Sequence, residues 1–205
     1  MKKAFLLVIA ACMLLLPTVS MAEQQMAVGV RVGGIWPDDI YTDFKSEDSY
    51  IIGADATYLI NDNIGFRLAV DYYEYDVEVF DVTLGDISVT PITLGLIARS
   101  KINNIAPYIG AGVGYFVNDI SLSGTLTTTF KTVTGTNLSA DIDNEWGYFV
   151  NAGVEAFLNP NTAVGIDLRY MWCEPDITLT AGGATGTDEI DLDAFTAALT
   201  LRYYF

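Results

Sequence analysis

The sequence predicts an all-β protein: an eight-stranded antiparallel up-and-down transmembrane β-barrel. Three observations predict it. Apolar residues recur at every second position in eight separate segments, which is the spacing of a strand with one lipid-facing side. Each segment has about the 9–11 residues that a tilted strand needs to cross a bilayer. The connections alternate between short and long, as they do in outer-membrane barrels.

The first 22 residues are expected to be an export signal, which leaves residues 23–205 as the barrel domain. A lysine pair precedes an apolar run over 4–16, and residues 20–22 form a small-x-small cleavage motif. The run is shorter than the roughly 20 residues of a membrane-spanning helix. A competing interpretation is lipidation at Cys12, but the apolar run continues past that cysteine, where a lipoprotein would turn polar.

The first four strand segments set an apolar face against a face of small residues and isolated charges. The apolar residues, segment by segment, are Val28, Val30 and Val32; Ile52, Ala54, Ala56, Tyr58 and Ile60; Ile64, Phe66, Leu68, Val70 and Tyr72; and Ile92, Leu94, Leu96 and Ala98. Successive side chains of a strand point to opposite sides of the sheet. We therefore expect these residues to face lipid.

The last four segments repeat the pattern. Their apolar residues are Ile109, Ala111, Val113 and Tyr115; Trp146, Tyr148, Val150, Ala152, Val154 and Ala156; Val164, Ile166, Leu168, Tyr170 and Trp172; and Phe195, Ala197, Leu199, Leu201, Tyr203 and Phe205. A soluble, lipocalin-type barrel would also alternate, but with its apolar face inward. The opposite face here is rich in glycine, which makes a poor water-facing surface, so the transmembrane orientation is favoured.

The connections differ in length and composition at the two ends of the predicted barrel. Short, turn-forming connections cover 61–63, 100–104 and 159–161, and the long ones cover 36–49, 74–87, 118–145 and 173–191. Aromatic residues gather near the strand ends, as in the two interfacial girdles of a membrane barrel. An even number of strands then places both chain termini on the periplasmic side.

The charge pattern excludes several classes of function. The net charge is −16 and the chain contains no histidine, so neither a phosphate-binding surface for nucleic acid nor a histidine-dependent catalytic or zinc site is expected. Segments 37–48, 74–86, 118–145 and 174–193 together hold twenty Asp and Glu but two lysines. A solvated acidic surface is the expected state of these segments. Calcium binding at 38–39 or 188–191 is a weaker alternative, because no spacing matches an EF-hand loop.

The predicted inward face contains equal numbers of positive and negative side chains. They are Arg31, Arg67, Arg169 and Arg202 against Asp55, Asp71, Glu155 and Asp167. Unpaired charges inside a narrow barrel are costly, so we expect these residues to form a paired network in the lumen. The simplest interpretation is that the ions only fill and rigidify the barrel, since eight strands leave little more than side-chain room.

A functional interpretation adds an apolar ring at the outer mouth of the lumen. Its expected members, each near the outer end of a strand, are Ile51, Tyr73, Phe116, Phe149 and Met171. Ten inward glycines are expected to leave unfilled volume beside them. An apolar, roomy entrance suits a hydrophobic solute, and the charged layer beneath would obstruct its passage, so we expect sideways exit above that layer.

Several stretches of the chain resemble the outer membrane protein W family of small barrels. They are Val-Thr-Pro-Ile-Thr-Leu at 89–94, Ala-Pro-Tyr-Ile-Gly-Ala-Gly-Val-Gly-Tyr at 106–115, and 153–161 with the Asp-Leu-Arg-Tyr of 167–170. The terminal Leu-Arg-Tyr-Tyr-Phe resembles the signal read by the barrel assembly machinery, with Tyr203 and Phe205 as its aromatic residues.

The resemblance implies passive uptake of small hydrophobic molecules across the outer membrane, with exit sideways into the bilayer and no cofactor. Outer-membrane lipid, lipopolysaccharide, the assembly machinery and the solutes themselves would be the partners. Two other functions compete with uptake. One is a structural or adhesive barrel with a sealed lumen. The other, a lipid-modifying enzyme, is disfavoured by the lack of histidine.

Overall fold

The computed structural model describes residues 25–38, 44–46, 49–79 and 82–205. The expected export signal, its cleavage site and Cys12 lie outside the described residues. Within these ranges, no helix combines the length and the apolarity needed to cross a membrane.

Thirteen elements are described, and eight of them are the strands of one closed barrel. In chain order they are β1 (Met26–Pro37), β2 (Phe44–Ser46), β3 (Ser49–Leu59), β4 (Ile64–Val79), β5 (Val82–Arg99), β6 (Ile105–Leu122), α1 (Gly124–Thr134), β7 (Leu138–Ile142), β8 (Glu145–Asn159), β9 (Thr162–Trp172), β10 (Asp176–Ala181), β11 (Ala184–Glu189) and β12 (Ala194–Tyr204). The barrel follows the order β1-β3-β4-β5-β6-β8-β9-β12 with antiparallel pairing throughout. Closure comes from β12 returning to β1, where Ala27 lies opposite Tyr204. The predicted eight-stranded up-and-down barrel is confirmed.

The two faces of the wall have the predicted orientation. The apolar face points outward: Ile109 and Leu199 are each 65% exposed to the exterior. The charged face points inward, where Arg169 and Arg202 are each 1% exposed. Such a surface suits a lipid solvent, because hydrocarbon accepts apolar side chains while the closed sheet pairs the backbone polar groups.

Three neighbouring strands run past their predicted ends. β4, β5 and β6 have 16, 18 and 18 residues, well over the roughly 9–11 that a membrane requires. In the extension the outward residues become polar, as at Asp86 and Asp119, while Ile87 and Val89 still point inward and are buried. The sequence prediction ended these strands where the outward apolar residues stopped. That point marks the edge of the lipid and not the end of the hydrogen-bonded ladder.

The end of the barrel with the long connections, which we call the loop end, carries further structure. β11, β10 and β7 pair into a three-stranded antiparallel sheet, the loop sheet. Helix α1 precedes β7 and is capped by Gly135, whose φ of 71° lies in the left-handed region that glycine adopts without strain. The segment after β11 is tied to the barrel: Leu192 N–H donates to the Cys173 carbonyl at 2.8 Å, and Asp38 N–H donates to the Asp193 carbonyl at 2.8 Å.

The opposite end, the turn end, has the predicted short connections. Asn61 Oδ1 accepts hydrogen bonds from the Asn63 and Ile64 N–H groups, each at 2.9 Å. Asn159 Oδ1 closes the β8–β9 turn in the same way. Asparagine favours such turns because its side chain bonds to backbone N–H groups two or three residues ahead.

Candidate functional site

The eight charged residues predicted for the lumen lie together in one buried layer, which we call the ion layer. It consists of Arg31, Asp55, Arg67, Asp71, Glu155, Asp167, Arg169 and Arg202, each 6% exposed or less. They come from β1, β3, β4, β8, β9 and β12, so residues far apart in sequence meet only because the barrel closes.

Two arginines make the closest pairs. Arg31 donates through Nε and Nη2 to both carboxylate oxygens of Asp71. Arg202 donates to both oxygens of Asp55, at 2.9 and 3.2 Å, and also to Glu155. Bidentate arginine–carboxylate bonds fix geometry as well as charge, so these pairs connect strands that are separated by one intervening strand of the wall.

The other two arginines link the pairs into one network. Arg67 lies 3.6 to 3.7 Å from Asp55, Glu155 and Asp167. Arg169 Nη1 donates to Asp71 at 3.3 Å. Four positive and four negative side chains are therefore buried together. Their charges cancel, so the layer across the lumen is neutral.

Polar neighbours that the sequence analysis did not assign to the network extend the layer. Tyr108 donates to Asp167 at 2.6 Å and Asn151 donates to the same oxygen at 2.8 Å. Tyr204 donates to Glu155, and Arg67 Nε donates to Thr57 at 3.1 Å. Their inward orientation follows from the alternation of side chains along each strand and was readable from the sequence. Their partners depend on the register between strands.

The inward glycines do not leave unfilled volume, and that expectation is wrong. A Cβ at Gly53 would meet the Asp71 carboxylate at 1.9 Å, and one at Gly29 would meet Arg202 Cγ at 2.6 Å. The neighbouring-strand residues opposite the charged ones are Gly, Ala, Thr or Asn throughout the layer. Glycine is needed here because long charged side chains cross the lumen over the neighbouring backbone.

The five residues predicted to line the outer mouth pack together above the ion layer. They belong to a buried set, the outer apolar cluster, formed by Ile35, Ile51, Tyr73, Ile87, Val89, Phe116, Ile142, Phe149, Met171, Cys173, Ile190, Leu192 and Ala194. Phe149 joins it to the ion layer, since Arg169 Cζ lies 4.7 Å from the Phe149 ring centroid.

The outer apolar cluster is a covered core and not the open, roomy entrance expected from the sequence. Its five predicted members are between 0% and 5% exposed. Ile142 of the loop sheet and Ile190 and Leu192 of the following segment form its cover. The rings fill the space beside the glycines: a Cβ at Gly147 would lie 2.7 Å from Phe116 Cε2.

A second buried apolar set lies at the turn end. It consists of Ala27, Leu59, Ile97, Ala106, Phe157, Ala163 and Tyr204. The lumen thus contains an apolar layer, a neutral ionic layer and another apolar layer. In the direction of the chain termini, the outer apolar cluster therefore adjoins packed side chains and not an aqueous passage.

The β4–β5 ladder is interrupted beside the outer apolar cluster. Pairing runs from Ile64 to Val70 and resumes at Tyr73 opposite Val89, which leaves out Asp71 and Tyr72 on one strand and Thr90 and Pro91 on the other. Proline has no N–H to donate, so it removes a ladder hydrogen bond. On its other side Pro91 keeps its register, opposite Phe116 of the outer apolar cluster.

The loop end is strongly acidic where its segments meet the barrel. Local desolvation, then the carboxylates of Asp191, Glu189 and Asp193, raise the pKa of Glu174. Desolvation also raises the pKa of Asp193. Among the described residues, no group of three or more Cys, Asp or Glu side chains is placed to hold a metal ion, and Asp39 lies outside them.

The two residues of the predicted assembly signal close the chain on the exterior face. Tyr203 is 48% exposed, and its ring meets that of Phe205 edge-on at 5.2 Å. Recognition by the assembly machinery stays a prediction.

Comparison with known proteins agrees with this geometry. The family described as outer membrane protein beta-barrel domain matches residues 5–205. Outer membrane protein W of Salmonella typhimurium is 27% identical over 171 residues, which cover 79% of this chain and 76% of that protein.

Three solved structures share the fold. OprG of Pseudomonas aeruginosa has a TM-score of 0.69 at 20% identity and covers 89% of this chain and 97% of its own. AlkL in lipid bilayers has a TM-score of 0.59 at 20% identity, with coverage of 92% and 94%. Outer membrane protein W of E. coli has a TM-score of 0.54 at 22% identity, with coverage of 90% and 100%. The chain therefore belongs to the outer membrane protein beta-barrel domain family, and both its resemblance to outer membrane protein W and its location in the outer membrane are confirmed.

Proposed function

We propose that this barrel mediates passive uptake of small hydrophobic molecules, which enter the outer apolar cluster from the loop end and leave sideways into the bilayer. One observation carries the proposal. The interruption of the β4–β5 ladder at Pro91 lies at the boundary between the outer apolar cluster, where Tyr73 and Phe116 are its neighbours, and the ion layer, to which Asp71 belongs.

The layers favour lateral exit over passage through the lumen. A hydrophobic solute would have to displace eight paired charges to reach the turn end, and breaking a buried ion pair is strongly unfavourable. Parting two strands where a hydrogen bond is already missing costs less. On the turn-end side of the gap the exterior is apolar, since the outward residues Ile92 and Leu94 are 43% and 51% exposed.

Uptake of a hydrocarbon by cells with and without the protein tests the proposal. Cells producing the barrel should take up the solute faster than cells lacking it. Pro91→Ala should slow uptake by about two- to tenfold. The new N–H can complete the ladder, and one net hydrogen bond changes the equilibrium for strand separation by about that factor. Pro107→Ala is the matched control: Pro107 also lies in a barrel strand, opposite Val154, but far along β6 from the gap. Equal uptake by the wild type and Pro91→Ala would contradict lateral exit at this gap.

A structural or adhesive barrel is the second candidate. The packed lumen and the loop sheet favour it, because a sealed barrel that presents folded loops needs no solute path. It predicts the same hydrocarbon uptake with and without the protein. We expect no catalytic role, since the chain has no histidine.

A further inference from the structure

Asn118 is a buried polar residue at the rim of the outer apolar cluster. It lies on the inward face of β6, two residues beyond Phe116 and opposite Val89. Its side chain is 7% exposed. Phe116 and Val89 both belong to the outer apolar cluster, so the amide of Asn118 borders a mostly apolar region.

The orientation of that amide is fixed by its neighbours. Asn118 Nδ2 donates to the Asp143 carbonyl at 2.9 Å, and Asn118 N–H donates to Asn144 Oδ1 at 2.9 Å. A backbone carbonyl can only accept, so the nitrogen of the amide must face Asp143. The oxygen, Oδ1, consequently points elsewhere. It is buried and has no hydrogen-bond partner among the described residues.

An unsatisfied buried acceptor calls for a donor. A water could supply it on the side of Asp143 and Asn144. On the side of the cluster, Val89 and Phe116 offer a water no polar partner, whereas a buried water needs two to four. A solute with a long apolar body and one hydroxyl group matches the surroundings better. Its body replaces the covering side chains, and its single donor satisfies Oδ1.

We propose that the outer apolar cluster binds linear hydrophobic solutes with one hydrogen-bond donor, such as medium-chain alcohols, and that Asn118 Oδ1 accepts their hydrogen bond. This assignment rests on the proposed uptake function and names its substrate class. Binding requires Ile142, Ile190 and Leu192 to move aside, since these residues cover the cluster. Asn118 is thus a specificity residue: it separates alcohols from alkanes and ethers of equal size.

Two isomeric probes test the proposal: 1-octanol and 1-methoxyheptane share a formula and a linear shape, but only the alcohol donates. Binding is measured on the barrel in lipid nanodiscs from amide shifts over 116–120 and 142–144, after subtraction of partitioning into empty nanodiscs. The wild type should bind the alcohol about three- to tenfold more tightly, the value of one net hydrogen bond. Asn118→Leu should bring the ratio close to one.

Asn144→Ala is the matched control, because it removes a partner of Asn118 and leaves Oδ1 in place. It should keep the preference for the alcohol. A wild type that binds both isomers equally, or an Asn118→Leu variant that keeps the preference, would overturn the assignment. If Asn118→Leu does not fold, the wild-type ratio still decides. Hydrocarbon uptake that responds to Pro91→Ala, together with a wild-type ratio of one, would refute only the role of Asn118. Absence of both uptake and binding would refute the uptake function as well.

Discussion

Arg202 shows how much a single residue of the ion layer contributes. It bonds to both Asp55 and Glu155, and all three side chains are almost completely buried. Removing one member of a buried ion network leaves uncompensated charge in a low-dielectric region. The network therefore stabilises the barrel only as a complete set, and each arginine is hard to replace alone.

We expect Arg202→Met to lower the free energy of unfolding by about 3–5 kcal/mol, because two carboxylates lose their main partner. Unfolding in urea, followed by the mobility shift between folded and unfolded barrel on gels, measures the change. Lys101→Met is the control. Its ammonium lies exposed over the Phe157 ring, 4.3 Å from the centroid, so the loss should be about 0.5–1 kcal/mol. A similar loss in both variants would show that the network has no special role.

Cys173 reports on the cover of the outer apolar cluster. Its thiol is 2% exposed, and burial followed by the carboxylates of Glu145, Asp193 and Glu174 raises its pKa to about 12. Because the thiolate is the reactive form, alkylation at pH 8 should be at least about a hundredfold slower than for an exposed cysteine. The reference is Thr187→Cys in a Cys173→Ser background, since Thr187 is exposed on β11. Equal labelling rates at the two positions would mean that the cover is open most of the time.

At the scale of elements, close packing between strands depends on inward glycines. β5 and β6 pair over fifteen positions, with Gly95 opposite Gly112. A Cβ at Gly112 would lie 2.2 Å from the Leu94 carbonyl oxygen and 2.8 Å from Phe149 Cε1. The aromatic ring lies directly on the backbone of the two strands, so the strand pair and the outer apolar cluster share one contact surface.

Gly112→Ala should therefore destabilise the folded barrel by about 1–3 kcal/mol, the usual effect of overpacking. The same gel-based urea titration gives the value. Gly186→Ala tests the effect of a strand glycine without crowding, because a Cβ at Gly186 in β11 meets nothing within 4 Å. We expect that control to change stability by less than about 0.5 kcal/mol. If Gly112→Ala were as stable as the control, the wall would be more adaptable than its packing indicates.

At the scale of the whole molecule, charge is divided between a neutral lumen and an acidic loop end. The pKa values of Glu174 and Asp193 are both raised where the loop-end segments meet the barrel. A carboxyl group with a raised pKa in the closed state destabilises that state when it is ionised. The closed state here is the one in which the loop-end segments cover the outer apolar cluster. This state is therefore most stable below the raised pKa values and loses stability as the pH rises through them.

Hydrogen exchange across this pH range measures the effect. Protection of the Leu192 and Ile190 N–H groups, which donate to the Cys173 and Pro175 carbonyls, should decrease as the pH rises, after correction for intrinsic exchange. The Thr162 N–H at the turn end, bonded to Asn159 Oδ1, should show no such change. Protection of Leu192 that stayed constant with pH would contradict a contribution of these carboxyl groups to closure.

Much of the fold was predictable because the side-chain period of a strand is a local property. Val30 and Val32 face lipid and Arg31 faces the lumen for a reason visible in three consecutive residues. The turns at Asn61 and Asn159 follow from local bonds in the same way. The ends of β4 to β6 were not predictable, because a ladder can continue after its outward face leaves the lipid.

The sequence alone determined the number of barrel strands, the face on which each residue of the eight predicted segments lies and the balance of charge in the lumen. Only the tertiary structure decided that Arg31 pairs with Asp71, that Phe149 fills the space beside Gly112 and that Pro91 interrupts one ladder. It also decided that Asn118 Oδ1 has no hydrogen-bond donor among the described residues. The physical reason is that alternation depends on the next residue along the chain. Contacts across the lumen depend on the register of strands that meet only when the barrel closes.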